Sequence, residues 1–144
     1  MDVRVQRGVG DRTSLHAYDK TCFCFDRPRF LDAWTDQPGG EVFRFVEAGR
    51  IQGWAAVRMA ASGRRIGPLF ADNPEAADAV YRACLDAAPG EDIHLDVPMN
   101  NAAAVALMER HGAEPQFECA RMVHGPVPDW PISRIYGVTS YELG

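Results

Sequence analysis

The stretch Asp96–Pro115, DVPMNNAAAVALMERHGAEP, leaves the end of an apolar strand, crosses two adjacent asparagines and enters an alanine-rich helix. Ala104, Val105 and Met108 recur at helical spacing, and Gly112 closes the run, since glycine readily adopts the left-handed conformation that ends a helix. Asn100 reads as a turn residue that carries the chain away from the strand after Pro98. Just upstream, DIHLDVP places Ile93, Leu95 and Val97 on one face of a strand. A strand feeding directly into a helix is the repeating unit of an α/β fold.

Working backwards, Ala77, Val80, Tyr81, Cys84, Leu85 and Ala88 form one apolar stripe of a preceding helix. Asn73 supplies its N-cap, Pro74 its first residue and Pro89-Gly90 its stop. Before it, EVFRFVEAGRIQGWAAVRMAASGRRIGPLFAD holds three strand-like runs broken by turns at Ala48-Gly49-Arg50 and Ser62-Gly63, an antiparallel meander. Leu15 and Tyr18, then Phe30, Leu31 and Trp34, mark two short helices, and Val3 to Gln6 an opening strand. Working forwards, PQFECARMVHG and SRIYGVTSYELG read as two closing strands joined by PVPDWPI. The predicted order is β-α-α-β-β-β-α-β-α-β-β, a three-layer α/β arrangement around a mixed central sheet flanked by helices.

With 144 residues the chain suits one domain, residues 1–144. A net charge of -5, with no basic cluster longer than Arg64-Arg65, argues against nucleic acid or an anionic membrane as partner. No apolar run approaches the roughly 20 residues needed to span a bilayer, and MDVRVQRGVGDR lacks the features of a signal peptide, so a cytoplasmic location is expected. Cys22, Cys24, Cys84 and Cys119 are too scattered for a disulfide framework. The Cys22/Cys24 pair lacks the further ligands a metal would need, so no metal site is expected.

The element order resembles that of the GNAT superfamily of acyl-CoA-dependent N-acyltransferases. Their last helix often reads N-x-x-A-x-x-L-Y-x-x-x-G-F, and Asn101, Ala104, Leu107 and Gly112 stand at those positions, with Met108 for the tyrosine and Ala113 for the phenylalanine. RRIGPLFADNPEAADAVYRACL, LDVPMNNAAAVALMERHGAEP, ARMVHG and IYGVTSYELG are similar, in order, to the second, C-terminal GNAT-like domain of tandem bacterial acetyltransferases of the YitH type.

The resemblance implies acetyl-CoA as cosubstrate, a small-molecule amine as acceptor, and a homodimer or a separate GNAT partner in place of the first domain. It implies that Asn101 caps the last helix and faces the pantetheine side. The pantetheine arm would pair as an extra strand with the backbone of Leu69, Phe70 and Ala71. The family's glycine-rich pyrophosphate loop is replaced by ADNPEAADA, which leaves the helix-start amides around Ala76 and Ala77 as the anion contact, with Glu75 opposing it.

Met108 cannot donate a proton to a departing thiolate, as the family's tyrosine does, and reads as a packing residue. His94 and Asp96 share a strand face and are the candidate bases for an attacking amine; equally, they read as a hydrogen-bonded histidine and a strand-end carboxylate. Phe23, Phe25, Phe30 and Trp34 gather around the early helices and read first as core packing, since aromatics dominate the cores of small domains; by the resemblance, those helices line the acceptor side in GNAT proteins. His111 and His124 read as helix-end and loop residues. Three readings stand side by side: an N-acetyltransferase working by positioning, a non-catalytic ligand-binding or partner-pairing module, and an α/β domain for some other ligand.

Overall fold

The computed structural model describes residues 2–143. Along the chain run β1 (Val5–Arg7), α1 (Arg12–Phe23), α2 (Pro28–Thr35), β2 (Glu41–Glu47), β3 (Arg50–Met59), β4 (Arg64–Ala71), α3 (Pro74–Asp86), β5 (Ile93–Leu95), α4 (Ala102–Arg110), a 3-10 turn (Ile132–Arg134) and β6 (Ile135–Gly137). Up to Gly112 this is the predicted order. The first strand lies two residues late, because Asp2 and Val5 close a turn through Val5 N–H donating to Asp2 C=O at 3.0 Å.

Strands β1 to β4 are successive antiparallel neighbours, and β5 lies parallel on β4 across the α3 crossover. The α3 caps form as read: Asn73 Oδ1 accepts Ala76 N–H at 2.9 Å and Pro74 opens the first turn. Helices α3 and α4 cover one face of the sheet, α1 and α2 the other. Strand β3 shows why both faces are dry. Ala55 and Val57 pack into the α3 core while Trp54 and Ala56 pack into the α1/α2 core, following the two-residue period of a strand.

The two closing strands are only partly realised. PQFECARMVHG has no regular structure, and Phe117 and Met122 are 64% and 90% exposed. An alternating segment becomes a strand only against an edge that will pair with it, and residues 113–131 lie along none. SRIYGVTSYELG contributes a strand only at Ile135–Gly137, and Gly144 lies outside the described residues.

A buried ion pair ties the first two helices together. Arg27, at the N-cap of α2, donates Nε and Nη2 to the carboxylate of Asp19 on α1 at 2.7 and 2.8 Å. Its guanidinium also lies 3.7 Å from the Phe23 ring centroid. Burial pushes the Asp19 carboxyl up in pKa, and Arg27 opposes that shift. Replacing Arg27 by Met strands the carboxylate without its partner. The Arg27→Met variant is expected to lose about 3–5 kcal/mol of stability in urea unfolding, and a loss below about 1 kcal/mol contradicts the pair's structural role.

Candidate functional site

The sequence reading placed a donor site along the outer edge of β4, which serves two neighbours in turn. Arg64, Arg65 and Ile66 pair with Ile93, His94 and Leu95 of β5. Past Gly67-Pro68 the edge changes partner, and Leu69 and Phe70 pair with Gly137 and Ile135 of β6. The next residue, Val138, donates its N–H to Asp96 C=O at 2.9 Å, bridging to the end of β5. Residues 137–139 thus lie between the diverging strands. The fit is tight: a Cβ on Gly67 would collide with the Thr139 carbonyl, and one on Gly137 with the Leu95 side chain.

Three polar clamps hold the chain from Ile132 to Thr139. Near its start, Arg134 donates Nε and Nη2 to Asp72 Oδ1 at 2.9 and 2.6 Å, and the same oxygen accepts the Tyr18 hydroxyl at 2.9 Å. Burial raises the Tyr18 pKa, so the phenol remains a donor. On either side of Arg134, Asn101 Nδ2 donates to Ile132 C=O and Ile135 C=O, both at 2.9 Å. At its end, Arg27 Nη2 donates to Thr139 Oγ1 at 3.0 Å.

Each predicted site residue therefore has an identified place. Leu69 and Phe70 offer no free main-chain edge to a pantetheine arm, because β6 already uses it. Ala71, fully buried, pairs with Gly53 on the opposite edge. The Ala76 amide is taken by the Asn73 side chain, and the Ala77 amide by Asn73 C=O at 3.1 Å, so neither points at an anion. Asp72 and Glu75 add two carboxylates at this helix start, with Glu75 paired to Arg4.

Asn101 caps α4 as expected, Oδ1 accepting Ala103 and Ala104 N–H at 3.1 and 3.2 Å. Its amide nitrogen faces the chain's own backbone, where the resemblance implied pantetheine. His94 and Asp96 stand on either side of one residue. His94 is opposite Arg65 in register, and Asp96, buried, accepts Arg65 Nη1 on both oxygens at 3.0 and 2.9 Å. The geometry brings Asp96 to a cation and not to His94 as a relay.

The acceptor-side aromatics separate. Phe30 and Trp34 stack with centroids 5.1 Å apart, Trp34 Nε1 donates to Gly67 C=O at 2.8 Å, and Phe25 is exposed. Met108 packs against the α3 core. His111 caps α4 and meets Asp78 Oδ1 at 2.9 Å, while His124 is exposed. The sequence reading missed Arg65, Asp72 and Arg134. Arg64-Arg65 was its only visible hint, as an isolated basic pair.

Asn101→Asp separates capping from clamping, since aspartate caps as well as asparagine but cannot donate to the two carbonyls. That variant is expected to cost about 2 kcal/mol or more; unchanged stability contradicts the clamp. Cysteine chemistry offers a separate check of the packing. Burial pushes the Cys22 thiol up to about 11 and raises Cys84 as well, whereas Cys119 is exposed. Alkylation at neutral pH, followed by peptide mass spectrometry, is expected to reach Cys119 well before Cys22 or Cys84.

Comparison with known proteins adds a family. The family model described as "Acetyltransferase (GNAT) domain" matches residues 15–137. Holothin acyltransferase of Pseudoalteromonas sp. is 25% identical over 128 residues, covering 88% of this chain and 44% of that protein. A Pyrococcus horikoshii protein described as an acetyltransferase superposes with a TM-score of 0.82 at 24% identity, over 100% of this chain and 47% of its own. A mutant of the BH1408 protein of Bacillus halodurans superposes with a TM-score of 0.58 at 15% identity, over 83% of this chain and 98% of its own. The two structural likenesses show the fold. The chain spans about half the length of the holothin and Pyrococcus proteins.

Proposed function

This chain belongs to the GNAT acetyltransferase family, and from that membership we propose that it serves acetyl transfer from acetyl-CoA to a small amine, shaping the acceptor side while the coenzyme is held elsewhere. One observation carries the division of labour: β6 pairs with Leu69 and Phe70, the edge a pantetheine arm would need. The remaining residues fit the coenzyme no better. The amides of Ala76 and Ala77 are spent on Asn73, two carboxylates stand at the α3 start, and Met108 has no proton to give. The family match and the acyltransferase relative support the reaction class.

On the acceptor side the chain supplies an aromatic wall from α2, Phe30 and Trp34, and charged groups on the strands facing it. Its contribution to rate is positioning, which needs neither a thiolate acid nor a relay. A second GNAT domain, different from this one and with its β4 edge open, would hold the donor.

A second reading, a non-catalytic module that only pairs with a partner domain, is favoured by one feature. Residues 113–131 present Phe117, Met122 and Val127 to solvent, more apolar surface than an isolated loop needs.

Thermal unfolding with acetyl-CoA, with CoA and with a panel of small amines separates these readings. Ligand at about 100 times its Kd adds roughly 2.7 kcal/mol, several degrees of midpoint for a domain of this size. The acceptor-side reading expects amines to raise the midpoint and millimolar CoA to leave it unmoved. A rise with CoA overturns the division of labour, and no rise with any amine leaves the pairing module.

A further inference from the structure

Arg58 on β3, Arg65 on β4 and His94 on β5 stand directly opposite one another in register. Cross-strand partners share a face, so the three form one basic row. Like charges set side by side in a sheet destabilise it unless something neutralises them. Asp96 neutralises Arg65, both of its oxygens accepting Nη1.

Arg58 has no such partner among the described residues. Its Nε is shielded from solvent and meets no acceptor. Its guanidinium lies 4.9 Å from the centroid of the Trp34 ring, and that ring is itself fixed by the bond to Gly67 C=O and by stacking on Phe30. Burial and the nearby Arg65 both disfavour the Arg58 charge, so an anion placed here would relieve a cost already present.

We propose that Arg58, over the Trp34 ring and beside Arg65, binds the carboxylate of a small organic acid. A guanidinium edge matches a carboxylate with two parallel donors, and its place over the ring restricts its freedom before the carboxylate arrives. Charge selects among anions. Arg58 and Arg65 are matched in number by Asp96 and Glu142, both of which lie near enough to act on Arg58. What Arg58 lacks is an acceptor for its Nε–H, and a monoanion supplies one with less repulsion from the two acids than a phosphate dianion meets.

The location gives the site a meaning within the proposed function, on which this part rests. Arg65 is two residues from Gly67, where β4 changes partners, and Trp34 belongs to the acceptor-side wall. The acceptor amine then carries a carboxylate, as amino acids do, and the Arg58 site orients it by that end.

NMR titration of the arginine Nε–H signals tests the site without coenzyme or partner. Benzoate, benzamide and inorganic phosphate serve as probes. Benzoate is expected to shift the Arg58 signal saturably and to bind at least about tenfold more tightly than benzamide. Binding should weaken about tenfold in Arg58→Gln. Arg58→Lys, which keeps the charge without the fork, should fall between, and it stands in if Arg58→Gln does not fold. Equal affinity in wild type and Arg58→Gln, equal affinity for benzoate and benzamide, or tighter binding of phosphate overturns the proposal. If benzoate binds as stated while no amine raises the unfolding midpoint, the carboxylate site stands and the acceptor reading fails.

Discussion

Every buried backbone N–H and C=O has to find a partner, and on β4 that requirement governs the arrangement of everything after it. From Ile66 to Ala71 the strand is buried, so water cannot serve its outer edge. The three residues of β5 serve only the first part. The remainder needs another extended segment, and Ile135–Gly137 supplies it. The position of the 3-10 turn, the identity of the clamps and the glycines at 67 and 137 all follow from that pairing.

The short strand also joins the two cores. Ile135 packs with Trp54 and Phe70 on the α1/α2 side, and its neighbour Tyr136 packs with Leu69 and Leu107 on the other. Three residues thus connect both layers of helices through the middle of the sheet. The clamps add direction to a contact that apolar packing alone would leave free to slide. Asn101 fixes the register by its two carbonyl acceptors, and the arginine pairs at Asp72 and Asp19 secure either end. The Arg27–Asp19 pair is buried, and such a pair gains little net stability although the loss of one partner is costly, so it specifies one arrangement over its neighbours.

Much of the fold was legible because its signals are local. Asn73-Pro74, the α3 stripe and Asn101 lie within one or two turns of the structure they specify, and each forms as read. The closing strands were not legible for the opposite reason. PQFECARMVHG alternates as a strand does, but strand formation depends on an available edge far away in the chain, and none lies along it. The site was half legible. Asn101 was found by its motif, yet its amide partners, Ile132 and Ile135, lie 31 and 34 residues on. Arg134 and Asp72 are 62 residues apart, and Arg27 and Thr139 are 112 apart. No spacing rule joins residues at such distances. The cross-strand row of Arg58, Arg65 and His94 needed the register itself, which the meander pattern suggests without fixing.

The β6 segment, which fills the gap where β4 and β5 part, behaves in effect as a tethered ligand for its own fold. A free molecule competing for the same edge meets a rival whose effective concentration is set by the chain, roughly millimolar even for a flexible tether. Here the rival is also anchored by three polar clamps and two apolar side chains, Ile135 and Tyr136, so its displacement would open both cores at once. An incoming strand would therefore gain main-chain hydrogen bonds that the edge already has, and only by undoing side-chain packing that it cannot replace. In this domain the outer edge of β4 past Pro68 is closed by a strand whose side chains belong to both hydrophobic cores.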